Sequence, residues 1–448
     1  MNRWLCRSTL GIALVGCLAS VGLVFVEPNA RANRAVGVGE DAVAGPRDVA
    51  SEGAVVASSF DELRAMVADP RGPGQIELLP QIYRGNLVIE RPVVIRGQNG
   101  AILDGAKVST VVTVQASNVV IENVVVRNSG GRHTAEDAGI KATGDRIRIA
   151  HVRVEQSLFG VSLQACTHCL LEKVHVVGPR DDDSLRGDGI KLWEAHDSVV
   201  RGCIVEYSRD MVVWYSRRTT VENNIVRHSR YGSHFMYAHD AVVRGGKYHD
   251  NVVGIFVMYS RRLNLENNIL AGARGAAGVG LGFKDSDAIS IRGNWLVANT
   301  VGTYLDNTPR TLQDPVTFDG NVIALNDVAL RLHGSEKGLT LTGNDFRQNS
   351  TLLEVDGGGN ALGVDIRSNH YSDYEGYDID GNGVGDVAHE VKALSSELTQ
   401  TRPTIAFFRG TAAMGLVDAV ARAVPAFASR KIFVDPTPLV NPPLIARP

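Results

Sequence analysis

Asp210-Met211-Val212-Val213-Trp214-Tyr215-Ser216 is followed by Val221-Glu222-Asn223-Asn224 and then by Tyr231-Gly232-Ser233-His234-Phe235-Met236-Tyr237. A short strand of the form apolar, charged, Asn or Gly, apolar precedes a turn, and Gly or Asp opens a second strand. The first strand recurs as Ile121-Glu122-Asn123-Val124, Leu265-Glu266-Asn267-Asn268, Ile291-Arg292-Gly293-Asn294, Leu341-Thr342-Gly343-Asn344 and Ile366-Arg367-Ser368-Asn369. The second opens at Gly139, Gly160, Gly189, Asp210, Gly232, Gly254, Gly278, Gly302 and Asp327, at intervals of 21, 29, 21, 22, 22, 24, 24 and 25 residues. A unit this small cannot bury its own apolar face, so it must stack on its neighbours. The repeat predicts an all-β, right-handed parallel β-helix, a solenoid with coils of about 22 residues. The Asn near the strand end, as in Asn224, Asn268, Asn294, Asn321, Asn344 and Asn369, is expected to stack from coil to coil and to hydrogen-bond turn backbone.

The chain has 448 residues, 44% of them hydrophobic and 21% charged, which suffices for a sizeable core. Forty-six Lys and Arg against 49 Asp and Glu leave no cationic excess, so nucleic acid is not an expected partner. Arg3 and Arg7 precede an uncharged run from Ser8 to Val26, and Ala30-Arg31-Ala32 offers a cleavage site; residues 1–32 read as a secretory signal peptide. Two alternatives stay open: lipidation at Cys17, within Leu14-Val15-Gly16-Cys17, and retention of the run as a membrane anchor. Residues 33–58 read as a linker, 59–118 as an N-terminal cap and first coils with a helix over Phe60 to Ala68, and 119–375 as the repeats. An Asp/Gly-rich loop at 376–390 follows, then a C-terminal helical segment with a hydrophobic helix over Met414 to Phe427 and a Pro-rich tail within 391–448. That helix would cap the solenoid or dock on a membrane partner.

Alternation along the second strand sends Ile190, Leu192, Met211, Val213, Ser233, Phe235, Ile255 and Val257 inward. The outward columns are then Lys191, Val212, His234, Phe256 and Trp193, Trp214, Met236, Met258, an exposed apolar stripe of the kind that marks an interaction surface. Imidazole and thioether together are ligands for a soft cation such as Cu(I), which singles out His234, Met236 and Met258; packing beneath a loop or partner is the competing explanation. Tyr215, Tyr237 and Tyr259 form a further column whose rings are expected at the core edge.

Three further groups stand out. Cys166-Thr167-His168-Cys169 could bind metal or form a disulfide, while Cys203 is expected to be buried. Asp378, Asp380, Asn382 and Asp386 sit at calcium-loop spacing, although His389 stands where a bidentate Glu is usual. Asp181-Asp182-Asp183, Arg186, Asp188 and Lys191 are either a solvated insertion or the carboxylates of a carbohydrate-cleaving site. No nucleophile elbow, phosphate loop or HExxH helix occurs.

Gly189-Ile190-Lys191-Leu192-Trp193, the coils from Asp210 to Ser216 and from Tyr231 to Tyr237, and Gly254-Ile255-Phe256-Val257-Met258-Tyr259-Ser260 together resemble the NosD family. So do Tyr377 to Asp386 and Asp435-Pro436-Thr437-Pro438-Leu439, over roughly residues 60–440. These are periplasmic β-helix proteins required to mature nitrous oxide reductase. The resemblance implies a non-enzymatic accessory protein held at the inner membrane by an ABC transporter, with NosY as permease and NosF as ATPase. It also implies the copper chaperone NosL and the reductase NosZ as partners, and copper, transiently as Cu(I), as what is handled towards a copper–sulfur cluster. His234, Met236 and Met258 are then the candidate copper ligands, calcium a second candidate metal, and Trp193, Trp214 and Phe256 the partner surface. The insertion near Asp182 and the Cys166–Cys169 turn have no counterpart in the family pattern. The alternatives are a secreted polysaccharide lyase or hydrolase on the same solenoid, and a docking scaffold that needs no metal.

Overall fold

The computed structural model describes residues 53–180, 185–356, 359–392, 394, 398, 402–408, 411–424 and 431–448. The expected signal peptide, the Cys17 lipidation site, the linker up to residue 52 and Asp181 to Asp183 lie outside the described residues.

Each coil contributes three short strands rather than two. The stretch read as one strand and a turn, Val221 to Asn224, belongs to Thr220–Glu222, and after a bend at Asn223 and Asn224 the chain re-enters a second sheet as Ile225–Arg227. Tyr231–Met236 then joins a third. Coil on coil, the described residues build parallel sheets of 14, 13 and 12 strands. Register follows the apolar pattern: Val221 pairs with Val243, Val243 with Leu265, Leu265 with Ile291, and Ile291 with Phe318. All five side chains are buried in the prism's core, which runs its full length. On the outside of the same sheet the sign of charge alternates between neighbouring coils, with Arg96–Glu122, Arg148–Glu172 and Arg244–Glu222 pairs.

The asparagines hold the corners between the first two sheets. Asn268, Asn294, Asn321, Asn344 and Asn369 are fully buried, and each side-chain amide donates to the next side-chain carbonyl at 2.9–3.1 Å. The same amides also donate to main-chain carbonyls, as Asn321 does to Ile291 at 2.9 Å. The column ends on Asp435, whose Oδ2 accepts the Asn369 amide at 3.1 Å and the Tyr371 hydroxyl at 3.0 Å. Asp435 arrives on the strand Phe433–Asp435, which pairs antiparallel with His389–Val391.

At the other end, the helix Phe60–Ala68 is N-capped by Ser59, whose hydroxyl accepts the Glu62 N–H at 3.2 Å, and it buries Leu63 and Val67 against the first coil. A strand, Val55–Ala57, already pairs with the solenoid inside the stretch expected as linker. The helix Ala412–Ala423 falls within the predicted C-terminal helical segment. Among the described residues no helix is long and apolar enough to cross a membrane.

Replacing Asn321 by Ala removes both the acceptor for the Asn294 main-chain N–H and the donor to Ile291. Two buried main-chain groups left unpaired should cost about 2–4 kcal/mol, read as a lowered urea midpoint; a loss within a few tenths of a kcal/mol would mean the column is dispensable.

Candidate functional site

The predicted columns form as expected. On the third sheet Lys191, Val212, His234 and Phe256 are in register, and Trp193, Trp214, Met236 and Met258 lie beside them. Ile190, Leu192, Met211, Val213, Phe235, Ile255 and Val257 point into the core.

Their exposure differs from the expectation of an open stripe. His234 is only 7% exposed, Lys191 and Val212 are buried, and Trp193, Trp214, Met236, Met258 and Phe256 are half-buried. A β-bulge is the cause: Asp210 pairs with Tyr231 and Val212 with His234, so the Tyr231–Met236 strand carries one extra residue. In a regular strand, residues three apart face opposite ways; the bulge brings Tyr231 onto the outer face. Its ring lies over the His234 imidazole, 4.8 Å between centroids at 25°. Trp214 meets that imidazole edge-on at 5.4 Å, and Phe256 meets Tyr231 at 6.0 Å. Gly232 sits at the bulge with no room for a side chain, since a Cβ there would come within 2.5 Å of the Gly254 carbonyl oxygen.

Burial pulls the His234 pKa down to about 4, so the ring is neutral at neutral pH. Neither of its buried nitrogens has a hydrogen-bond partner among the described residues. An imidazole denied both water and protein partners keeps a lone pair available, and polar groups are seldom left so. Met236 stands two residues along on the same face, and Met258 pairs with Met236 in the next coil. One neutral imidazole and two thioethers on this face are donors of the soft kind that could hold Cu(I). Salt bridges close the apolar segment at both ends: Lys191 to Glu136 at 2.6 Å, and Lys284 to Asp306 at 2.5 Å.

The carboxylates are committed elsewhere. Asp188 is buried and held by Arg209 at 2.9 and 3.1 Å; burial raises its pKa to about 6, with Asp210 pushing the same way. Asp210 is clamped by Arg230 through two contacts, and Arg230 in turn lies over the Tyr231 ring. These pairs hold Tyr231 in place and leave neither acid open to a cleft.

Cys166, Cys169 and Cys203 are free thiols inside the core, so Cys166 and Cys169 are not joined in the disulfide that was one of the two expectations for them, and Cys203 is buried as expected. Alternation and corner geometry turn both Cys166 and Cys169 inward. The neighbouring Cys169 and burial push the Cys166 thiol up, and burial takes Cys203 up to about 12, so neither of these two is a ready thiolate. In the Asp/Gly-rich loop, Asp378 accepts the Asn382 and Gly383 N–H groups, Asn382 the Val384 N–H and Asp386 the Ile379 N–H. Asp380 holds the Asn382 amide at 2.8 Å. These bonds shape the loop as a series of turns, and His389 is stacked on Tyr371 at 4.0 Å. Among the described residues no three His, Cys, Asp or Glu side chains converge as a metal site.

Tyr215, Tyr237 and Tyr259 do not lie at the core edge. Tyr215 and Tyr237 are exposed at 38% and 41%. All three take left-handed backbone, φ 50–52°, which ends the alternation and swings the ring out. Tyr231 and Glu136 complete the site and were not singled out from sequence. The extra residue between Arg209-Asp210 and Arg230-Tyr231-Gly232 was a readable signal for the first, whereas a partner 55 residues from Lys191 leaves none.

A family model described as "Periplasmic copper-binding protein (NosD)" matches residues 172–381, which include the whole column from Lys191 to Met258. The "Probable ABC transporter binding protein NosD" of Pseudomonas aeruginosa is 34% identical over 147 residues, 31% of this chain and 33% of that protein. The match thus spans about a third of the relative's length. Among solved structures, the A-module of mannuronan C-5 epimerase AlgE6 from Azotobacter vinelandii aligns with a TM-score of 0.56 at 15% identity, over 68% of this chain and 93% of that one. The catalytic unit of a GH87 α-1,3-glucanase from Streptomyces thermodiastaticus aligns with a TM-score of 0.51 at 14% identity, over 69% and 60%. At such identities these likenesses show the β-helix fold alone.

Two predictions test the pocket. Since His234 titrates near 4 in the fold against an ordinary 6.5, the unfolded chain binds its proton first, and its share of stability is lost as pH falls from 6.5 towards 4. That share is about 3 kcal/mol, so the stability gap between the wild type and His234→Leu should shift by about that amount between pH 7 and pH 4 in urea titrations; a pH-independent gap would contradict the burial. Gly232→Ala should lower stability by about 1–3 kcal/mol in the same assay, through the clash with the Gly254 backbone.

Proposed function

Taking the chain as the member of the NosD family that these matches support, we propose that it is a periplasmic accessory protein carrying Cu(I) as cargo for the maturation of nitrous oxide reductase. His234, Met236 and Met258 are the ligands, and the metal passes onward to the reductase's copper–sulfur centre. The observation that carries this reading is the buried, neutral His234 imidazole with both nitrogens unpartnered among the described residues. A cation that needs neither water nor anionic ligands would satisfy it, and monovalent copper between imidazole and thioethers is such a cation.

Transfer fits the site's construction. Three neutral ligands confer no charge-based trap, and the half-buried methionines can rotate towards an incoming donor. The half-buried Trp193, Trp214 and Phe256 around them form the docking surface, as aromatic residues often do at interfaces. The partners are an ABC transporter, NosY with NosF, the chaperone NosL and the reductase NosZ; the relative's name, an ABC transporter binding protein, supports the first. Export rests on the signal peptide read at residues 1–32. The role is non-enzymatic: the carboxylates beside the column, Glu136, Asp188 and Asp210, are each consumed in a pair with Lys191, Arg209 or Arg230.

The test is an anaerobic Cu(I) titration against a competing chelator, on the chain lacking residues 1–32. One equivalent should bind, and His234→Ala with Met236→Ala and Met258→Ala should abolish it, whereas Cys166→Ser with Cys169→Ser should leave it intact. Binding that survives the triple change would move the site elsewhere; no binding to any form would recast the face as a docking surface alone.

A further inference from the structure

The corner that follows each strand of the third sheet needs a residue in left-handed backbone. In successive coils the occupant is Glu194, Tyr215, Tyr237, Tyr259, Asp285, Asn307 and Gly334, with φ between 46° and 62°. Asp, Asn and Gly suit that conformation; a bulky aromatic does not, and strain of this kind is kept where a function needs the side chain. Here three consecutive coils pay it with tyrosine, beside the His234 pocket and nowhere else in this run of corners.

The rings make a continuous file. Tyr259 stacks on Tyr237 at 5.1 Å and 16°, and Tyr237 on Tyr215 at 5.2 Å and 12°. Tyr215 meets Trp193 at 5.0 Å, Trp193 meets Trp214 at 5.7 Å, and Trp214 meets the His234 imidazole at 5.4 Å. Exposure rises from 7% at His234 to 38% and 41% at Tyr215 and Tyr237, and Tyr259 beyond them is half-buried. The tyrosines stack face to face, so their faces are not free to receive a flat ligand.

We propose that Trp214, Trp193, Tyr215, Tyr237 and Tyr259 form a one-electron relay that drains oxidising equivalents from the His234 pocket to phenols at the surface. That such equivalents arise there rests on the Cu(I) reading above; the relay itself rests on the rings. The oxidant is hydrogen peroxide. One Cu(I), one peroxide and one tyrosine give Cu(II), hydroxide, water and a tyrosyl radical: copper and tyrosine each lose one electron, the O–O bond takes both, and the phenol proton ends in water. Indole and phenol rings in contact pass the electron inward, and proton loss to solvent traps the hole on the exposed phenols of Tyr215 and Tyr237. A thiol in solution then returns one hydrogen atom to the phenoxyl and leaves as a thiyl radical, two of which couple to a disulfide. Met236 and Met258 are spared, since oxidation to the sulfoxide would make these soft ligands polar.

The test compares the purified full chain with Tyr215→Phe/Tyr237→Phe/Tyr259→Phe, which keeps the stack and removes the phenols. Each is oxidised in two ways: Cu(I)-loaded with one equivalent of peroxide, and metal-free with a photogenerated ruthenium(III) oxidant. Radicals are trapped by freezing for paramagnetic resonance, and oxidised residues are located by peptide mass spectrometry. The wild type should give a tyrosyl signal and little damage at Trp193, Trp214, Met236 and Met258; the variant should lose the signal and show several-fold more damage at those four. Equal damage in the ruthenium arm overturns the relay. A difference in that arm but none with copper and peroxide keeps the relay and overturns the placement of copper at His234.

Discussion

Each coil of this solenoid has to turn three corners inside a dry core, and every corner leaves main-chain N–H and C=O groups that no sheet can pair. The structure depends on satisfying them. Asn268 to Asn369 do so at one corner, Asn299, Asn326 and Asn349 at the next, and Ser260, Ser286, Thr308 and Ser335 at the third. Each side chain caps its neighbour's N–H, so the columns fix the angle of the bend and the register of the next coil together. A slip of one residue would unpair a whole column and turn every apolar side chain outward.

That constraint explains how much could be read from the sequence. Alternation gave the columns correctly, from Lys191 to Phe256 and from Trp193 to Met258, because the strands between corners are regular. Period and Asn placement announced the solenoid for the same reason. The failures fall where regularity stops. Val221 to Asn224 looked like one strand and a turn because a bend of one or two residues leaves little mark on the pattern. Tyr215, Tyr237 and Tyr259 were sent to the core edge by a parity that ends at a left-handed residue. His234 was placed in the open because nothing in a parity count says that a bulge will fold Tyr231 over it.

Electrostatics bounds the site in a similarly local way. On the first sheet one outward column, Arg201, Glu222, Arg244, Glu266, Arg292 and Asp319, alternates in charge from coil to coil. Between Lys191 and Lys284 the third sheet drops the pattern for Val212, His234, Phe256 and Gly282, with Trp and Met beside them. Phe256 lies over Gly282, where a Cβ would come within 2.4 Å of its ring, so the apolar segment is closed by packing before charge resumes. A neutral window in a charged prism is what allows an imidazole to stay unprotonated and unpartnered.

The asparagine column has a direction: every amide accepts on one side and donates on the other. Asp435 ends it with a carboxylate, which only accepts, delivered by a strand that runs antiparallel to its neighbour. That carboxylate has no hydrogen to hand on to a further coil, whether from this chain or from another copy. A solenoid is in principle an open fibre, growing wherever its last rung offers a template. The single carboxyl group at Asp435 acts as a stop codon written in hydrogen bonds, and losing it would expose the end rung to polymerisation.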